Sequence, residues 1–413
     1  MVKMVYNTFK KYPYIKLCLK NIYQFSNVIF GNNKSDISAI QSIAKNYFFG
    51  FHDKCPWDSK NQKILAHKAP DNDNARTNGI PIEIGYFEND NLTKFCTISK
   101  TKAWNWQQGA MLQWHPSTDS VYFNDISKNG IPQLIKIDLN DLKRDIIGPA
   151  TASISPDGKF SASISFFRFG KGLPGYGYFG ITEDEGSIGI PQKNGALKIF
   201  NLKDNHTNPY FEISLIKCIE SKYQKSMKNA YHYISHPQFS PDSKKLAFFH
   251  RWFHKGKRVE THLFFLDLTT LKLKIADTGS MFSHFCWLDN DQIFGFYEDS
   301  SGVDGYGIIS YNGNEIKLKS RLLDVDGHPN SHWQTGKIII DTYPDKSRHQ
   351  KLILIEGNLQ QPKTKIIGSF YAPFKFQEIF RADLHPRWNR TGNKVAIDCS
   401  FPGCRSFAII NIE

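Results

Sequence analysis

Five histidines recur at one position in a repeating pattern along the 413-residue chain. His52, His236, His284, His328 and His385 each stand about six residues before a turn motif. Its plainest copies are Ser155-Pro156-Asp157-Gly158-Lys159 and Ser240-Pro241-Asp242-Ser243-Lys244. Imidazole is the commonest side-chain ligand for divalent transition metals, and a site needs three or four convergent donors. Asp326-Gly327-His328 and Asp383-Leu384-His385 each add a carboxylate two residues before a histidine. In a strand those two side chains share a face, so the carboxylate can ligate or orient. The candidate metal ligands are therefore His236, His284, His328, His385 and Asp383. Cys286, two residues after His284, offers a zinc site with one thiolate as an alternative. Proton transfer and the plain polar lining of a wet channel are the other uses of such a ring.

A second group combines His250 and Arg251 with Arg258 downstream. A neutral imidazole is a competent base near pH 7, and arginine binds a carboxylate through two parallel hydrogen bonds.

The elements that must position these residues follow one grammar. A short strand leads into the turn, and an alternating apolar strand follows, as in Lys245–Phe249, Gln292–Phe296 and Lys337–Ile340. A third strand ends near Asp-Leu, as in Leu263–Asp267 and Leu134–Asp138. Weaker turn copies lie at Cys55–Asp58, His115–Ser117, Trp287–Asp289, His332–Gln334 and Trp388–Arg390. Turn markers near 58, 117, 157, 242, 289, 334 and 390 are spaced as four-stranded blades require, with one longer gap after 157. The spacing predicts an all-β, seven-bladed β-propeller over 35–413, with a long insertion at about 166–232. Phe407–Ile410 reads as a third strand with no fourth after it, so a strand near Ala39–Ile43 should close the ring. On this geometry the histidines open the inner strands. His250–Trp252, Asp341–Asp345 and Asp398-Cys399 end second strands on the same face, and the Gly-rich, aromatic segment Phe166–Tyr176 forms a flap there.

Residues 1–34 read as a short basic extension. Val5–Phe30 fits either an amphipathic helix touching an anionic membrane face or a helix packed on the main domain. The net charge of +13 favours an anionic partner. Basic runs and RNA-type aromatic motifs are missing from the main body, so nucleic acid is not the expected partner. Seven cysteines without a CxxC pair suit a reducing compartment, and no signal peptide or membrane span is evident. A cytoplasmic location follows as the expectation, peripheral to the inner membrane face if the extension binds it.

The string His236-Pro237-Gln238-Phe239-Ser240-Pro241-Asp242, followed by His250-Arg251-Trp252, Arg258 and Leu263–Asp267, resembles oligogalacturonate lyase. So do Ser283–Trp287 and Asp383–Trp388. The seven-bladed ulvan lyases are similar in architecture, and the SPDG repeats are TolB-like. The resemblance covers mainly 230–413. It implies β-elimination on a uronate-containing acidic oligosaccharide, with a divalent metal (manganese, zinc or calcium) on the substrate carboxylate. His284 and His385 would be ligands, His250 the base and Arg258 the carboxylate support. The family carries a second histidine just before the one matching His385, where this chain has Asp383. Tyr343 and Tyr297 are candidates for protonating the leaving oxygen. Two other classes stay open: a glycosyl-transfer or assembly factor for an acidic surface polysaccharide, and a non-catalytic interaction propeller.

Overall fold

The turn motif works through its hydroxyl and carboxylate. Ser155 Oγ donates to Asp157 Oδ1 (2.6 Å) and accepts from the Phe160 amide (2.9 Å), while Asp157 Oδ1 takes the Lys159 amide (3.0 Å). The same set recurs at Ser240, Asp242, Lys244 and Lys245. In the last copy Asn389 Oδ1 takes the Asn393 and Lys394 amides instead. The fourth motif position is left-handed, at φ 71° for Gly158 and 63° for Ser243, which explains why glycine is favoured there.

Each such turn joins the first two strands of a four-stranded antiparallel sheet, and the computed structural model contains seven of these sheets. It describes residues 22, 24–28, 34–70, 79–182, 197–203, 209–213, 227, 229–313, 315–318 and 321–412. The blades span 47–101, 113–149, 153–213, 231–275, 282–317, 330–371 and 387–411. The seventh is completed by Ile40–Lys45, which pairs antiparallel with Ser406–Asn411. This strand from the opposite end of the chain fastens the ring and covers an edge that would otherwise be open.

Adjacent blades share their apolar faces. Ile339, Leu352 and Leu354 of the sixth pack with Val395, Ile397 and Ala408 of the seventh. Alternation along each strand sends one face into such a layer.

The stretch 166–232 is not one insertion. Leu197–Asn201 and Phe211–Ile213 are the third and fourth strands of blade three. The extra chain lies between its second and third strands. It begins with a short helix, Phe166–Gly172, capped by Ser165 Oγ accepting from the Arg168 amide. Further on, the Thr182 amide donates to Gly130 O of blade two (3.0 Å). The unpatterned length hid two short strands behind the inserted segment.

Most of the N-terminal extension lies outside the described residues. Within it, 24–28 is helical and packs on blade six. Gln24 Nε2 donates to Asp345 O (2.7 Å), and Phe25 meets Phe374 at 6.0 Å. Among the described residues, no helix is long and apolar enough to cross a membrane.

Candidate metal centre

All five repeat histidines converge on one point. Ring centroids lie 4.2 Å apart for both His284–His328 and His328–His385, and 5.5 Å apart for His52–His328. His236 adjoins His284 at 6.2 Å. Phe51 sits against every one of them, at 4.4 to 6.2 Å. Two local devices turn these side chains inward. Register shifts interrupt the pairing between Ser235 and Gln238 and between Phe282 and Phe285, next to His236 and His284. His236 and His385 hold left-handed backbone, φ 55° and 45°. Such conformations are costly for residues with a Cβ and concentrate at functional sites.

His328, Asp383 and His385 bring one ligand atom each to within 4.8 Å of one another, and all three are buried. His328 Nε2, His385 Nε2 and Asp383 Oδ1 have no hydrogen-bond partner. A buried polar atom left unpaired costs about 1–3 kcal/mol, so one on each member of this cluster makes a donor set that fits a cation.

Carboxylates behind the ring orient it. His328 Nδ1 lies 2.9 Å and 3.1 Å from the two oxygens of Asp341. Asp341 also takes the main-chain amides of His328 (2.6 Å) and His385 (2.9 Å). This clasp commits Nδ1–H to the carboxylate and leaves the Nε2 lone pair for the cluster. The two chains approach so closely at Gly327 that a Cβ there would overlap the Asp341 carbonyl. Asp326 serves His284, not the histidine two residues after it: Oδ1 is 3.4 Å from His284 Nδ1, and Oδ2 takes Ser283 Oγ (2.6 Å). Asp383 gives its other oxygen to Arg381 Nε, and Arg381 Nη2 donates to Tyr176 OH (3.0 Å).

Burial decides the protonation of the ring. It holds His52, His236 and His385 well below the ordinary histidine value and pulls His284 down to about 4. His328 is the exception. Burial lowers it, but the charge and hydrogen bond of Asp341, with Asp383 and Asp326, carry it above the usual value. Burial raises the Tyr343 phenol well above 10, so it stays protonated.

The other candidate residues divide. Tyr343 joins the ring, 5.5 Å from His328 and 6.4 Å from His284. Arg251 borders it, donating to Phe282 O and Ser283 O (3.2 and 2.9 Å). His250 does not join. It points to the opposite face of its strand from Phe249 and Arg251, where it stacks on His232 and packs against Trp252. Arg258 is also elsewhere, in a half-exposed ion pair with Glu298 beyond the strand end. Cys286 faces an apolar layer, where burial pushes its thiol up to about 12, so it supplies no thiolate. Tyr297 is buried against Phe282.

Sequence reasoning missed Arg381 and Phe51, and it named Tyr176 only as the end of the flap. Arg381 alternates with Asp383 and His385, a strand-like signal that was available. Asp341 was placed on the face without a partner. Tyr176 lies over the ring, 6.2 Å from His236 and 6.4 Å from Phe51, with Phe169 of the insertion helix beside it.

Comparison with known proteins rests on this geometry. A structure of oligogalacturonate lyase in complex with manganese matches with a TM-score of 0.63 at 12% identity, covering 92% of this chain and 96% of that one. The enzyme from Vibrio parahaemolyticus matches with 0.60 at 11%, covering 92% and 97%. This chain is similar in fold to oligogalacturonate lyase. A puromycin-hydrolyzing peptidase from Mycobacterium tuberculosis also matches, with 0.53 at 10%, over 90% of this chain and 54% of that one. At these identities the likeness is one of fold. No family model and no curated protein matches the chain.

Proposed function

We propose that this chain is a metal-assisted lyase that cleaves a uronate-containing oligosaccharide by β-elimination. The observation that carries the reading is the buried cluster of His328, Asp383 and His385, in which His328 Nε2, Asp383 Oδ1 and His385 Nε2 have no partner. These atoms would hold the divalent ion, with His284 next to them. A cation bound there supplies positive charge opposite the substrate carboxylate, which makes the neighbouring C5 proton acidic.

The remaining steps fall to the chain's own groups. Arg251, whose Nε lacks a partner, and Arg381 are placed to hold the carboxylate. His236 takes the place expected of His250: neither of its ring nitrogens has a partner, and burial keeps it neutral. It removes the C5 proton, the C4–O bond breaks, and a C4–C5 double bond forms. Tyr343, still protonated, gives its proton to the leaving oxygen. Phe51, Phe169 and Tyr176 pack over the ring, so the Tyr176 segment must move aside for substrate to enter. Gly175 and Gly177, at φ 94° and 145°, flank it.

The test is ultraviolet absorbance of the protein mixed with a panel of oligouronates, with and without chelator. A chelator-sensitive rise from a 4,5-unsaturated product is expected, absent in His236→Ala. A flat trace across the panel would overturn the reading.

A further inference from the structure

The insertion creates a cavity of about 520 Å³ beside the histidine ring. Its walls include Asn105, Trp106, Phe167, Lys171, Phe179 and Phe380, and Tyr176 lines it while also lying over the ring. The size falls within the roughly 300–1,000 Å³ typical of ligand sites. Four features describe what fits. Among the described residues no carboxylate lines it, and Lys171 extends there, 5.5 Å from the Phe167 ring. Asn105 is 3% exposed, and its Oδ1 is committed to the amides of Gln107 (3.0 Å) and Gln108 (2.8 Å). That fixes the amide and leaves Nδ2, buried and without a partner, on a residue of the cavity wall. Phe179 is an exposed aromatic, 52% accessible. Flat aromatic faces with a cation and an unsatisfied donor suit hydroxylated rings that carry negative charge.

We infer that this cavity is a second binding site, which holds the sugar units of an acidic oligosaccharide next to the unit at the histidine ring. The inference rests on the uronate reading of the ring and adds to it a length requirement. Binding energy gathered on non-reacting units can be used to open the Tyr176 segment and orient the reacting one.

The experiment is calorimetric titration of the full metal-loaded chain carrying His236→Ala to stop turnover, using digalacturonate, pentagalacturonate and an uncharged glucose pentamer. Pentagalacturonate should bind at least about tenfold tighter than the dimer. Phe179→Ala and Asn105→Asp should each remove most of that gain and leave dimer binding unchanged. The aspartate keeps the Oδ1 acceptor that the turn needs and replaces the donor with a repelling charge. No gain with length, an equal gain for the uncharged pentamer, or a gain that survives both substitutions would each overturn the inference. Unsaturated product without a length effect would remove the cavity site alone. A charge-dependent length effect without product from any uronate would keep the site and remove the lyase chemistry.

Discussion

Replacing Asp341 by asparagine tests whether the ring is a metal site at all. The carboxylate accepts from His328 N, His328 Nδ1 and His385 N, and it is 1% exposed. An amide keeps one acceptor oxygen. If that oxygen stays on His328, the NH2 group meets the His385 amide, donor against donor, and the reverse orientation sets it against His328. Either way a buried donor is left unmatched, at about 1–3 kcal/mol. The His328 imidazole also loses the negative charge that raises its basicity. Removing such an outer partner weakens metal affinity by about 10–100-fold, equal to about 1.4–2.7 kcal/mol. Calorimetric titration of metal-stripped protein with Mn2+ and Zn2+ reads the loss of affinity. Thermal melts of the stripped protein read the cost to the fold, and saturating metal at about 100 times Kd should stabilise the wild type by about 2.7 kcal/mol. A folded Asp341→Asn protein that binds both ions as tightly as the wild type would refute the assignment.

Acid should destabilise the fold. Burial holds His67 down to about 3 and His232 to about 4, so below pH 6.5 the unfolded chain takes up protons that the folded chain refuses. Stability present above 6.5 is therefore lost as the pH falls towards 4. Between pH 7.5 and 5.5 these two residues alone should remove about 3 kcal/mol, and a urea midpoint that does not move would contradict this. Gly109 has φ +57°, and a Cβ there would overlap the His67 ring. Gly109→Ala should cost about 2–4 kcal/mol in urea unfolding. Gly256→Ala, left-handed but in open space, should cost only about 1–2; equal losses would discard the packing argument.

Strand order and blade number were legible in the sequence because they depend on local rules. A hydroxyl, a carboxylate and a left-handed residue close each turn, and alternation with period two marks the strands beside it. The closing strand was legible for a related reason, since Phe407–Ile410 lacked a following partner. The five histidines were legible as a set because one phase in a cyclic repeat maps to one radius and height in the ring. Direction across a strand was harder. His250 and Arg251 are neighbours in sequence, so they point to opposite faces, and grouping them sent the proposed base to the wrong side. Arg258 lay past the strand end, where sequence distance says little about reach. Which carboxylate serves which histidine was decided only by tertiary structure. Asp341 reaches His328 from the second strand of blade six, Asp326 reaches His284 from the segment between blades five and six, and Arg381 links Asp383 to Tyr176 of the insertion. Those pairings depend on how seven sheets close around one axis, and no local pattern records that closure.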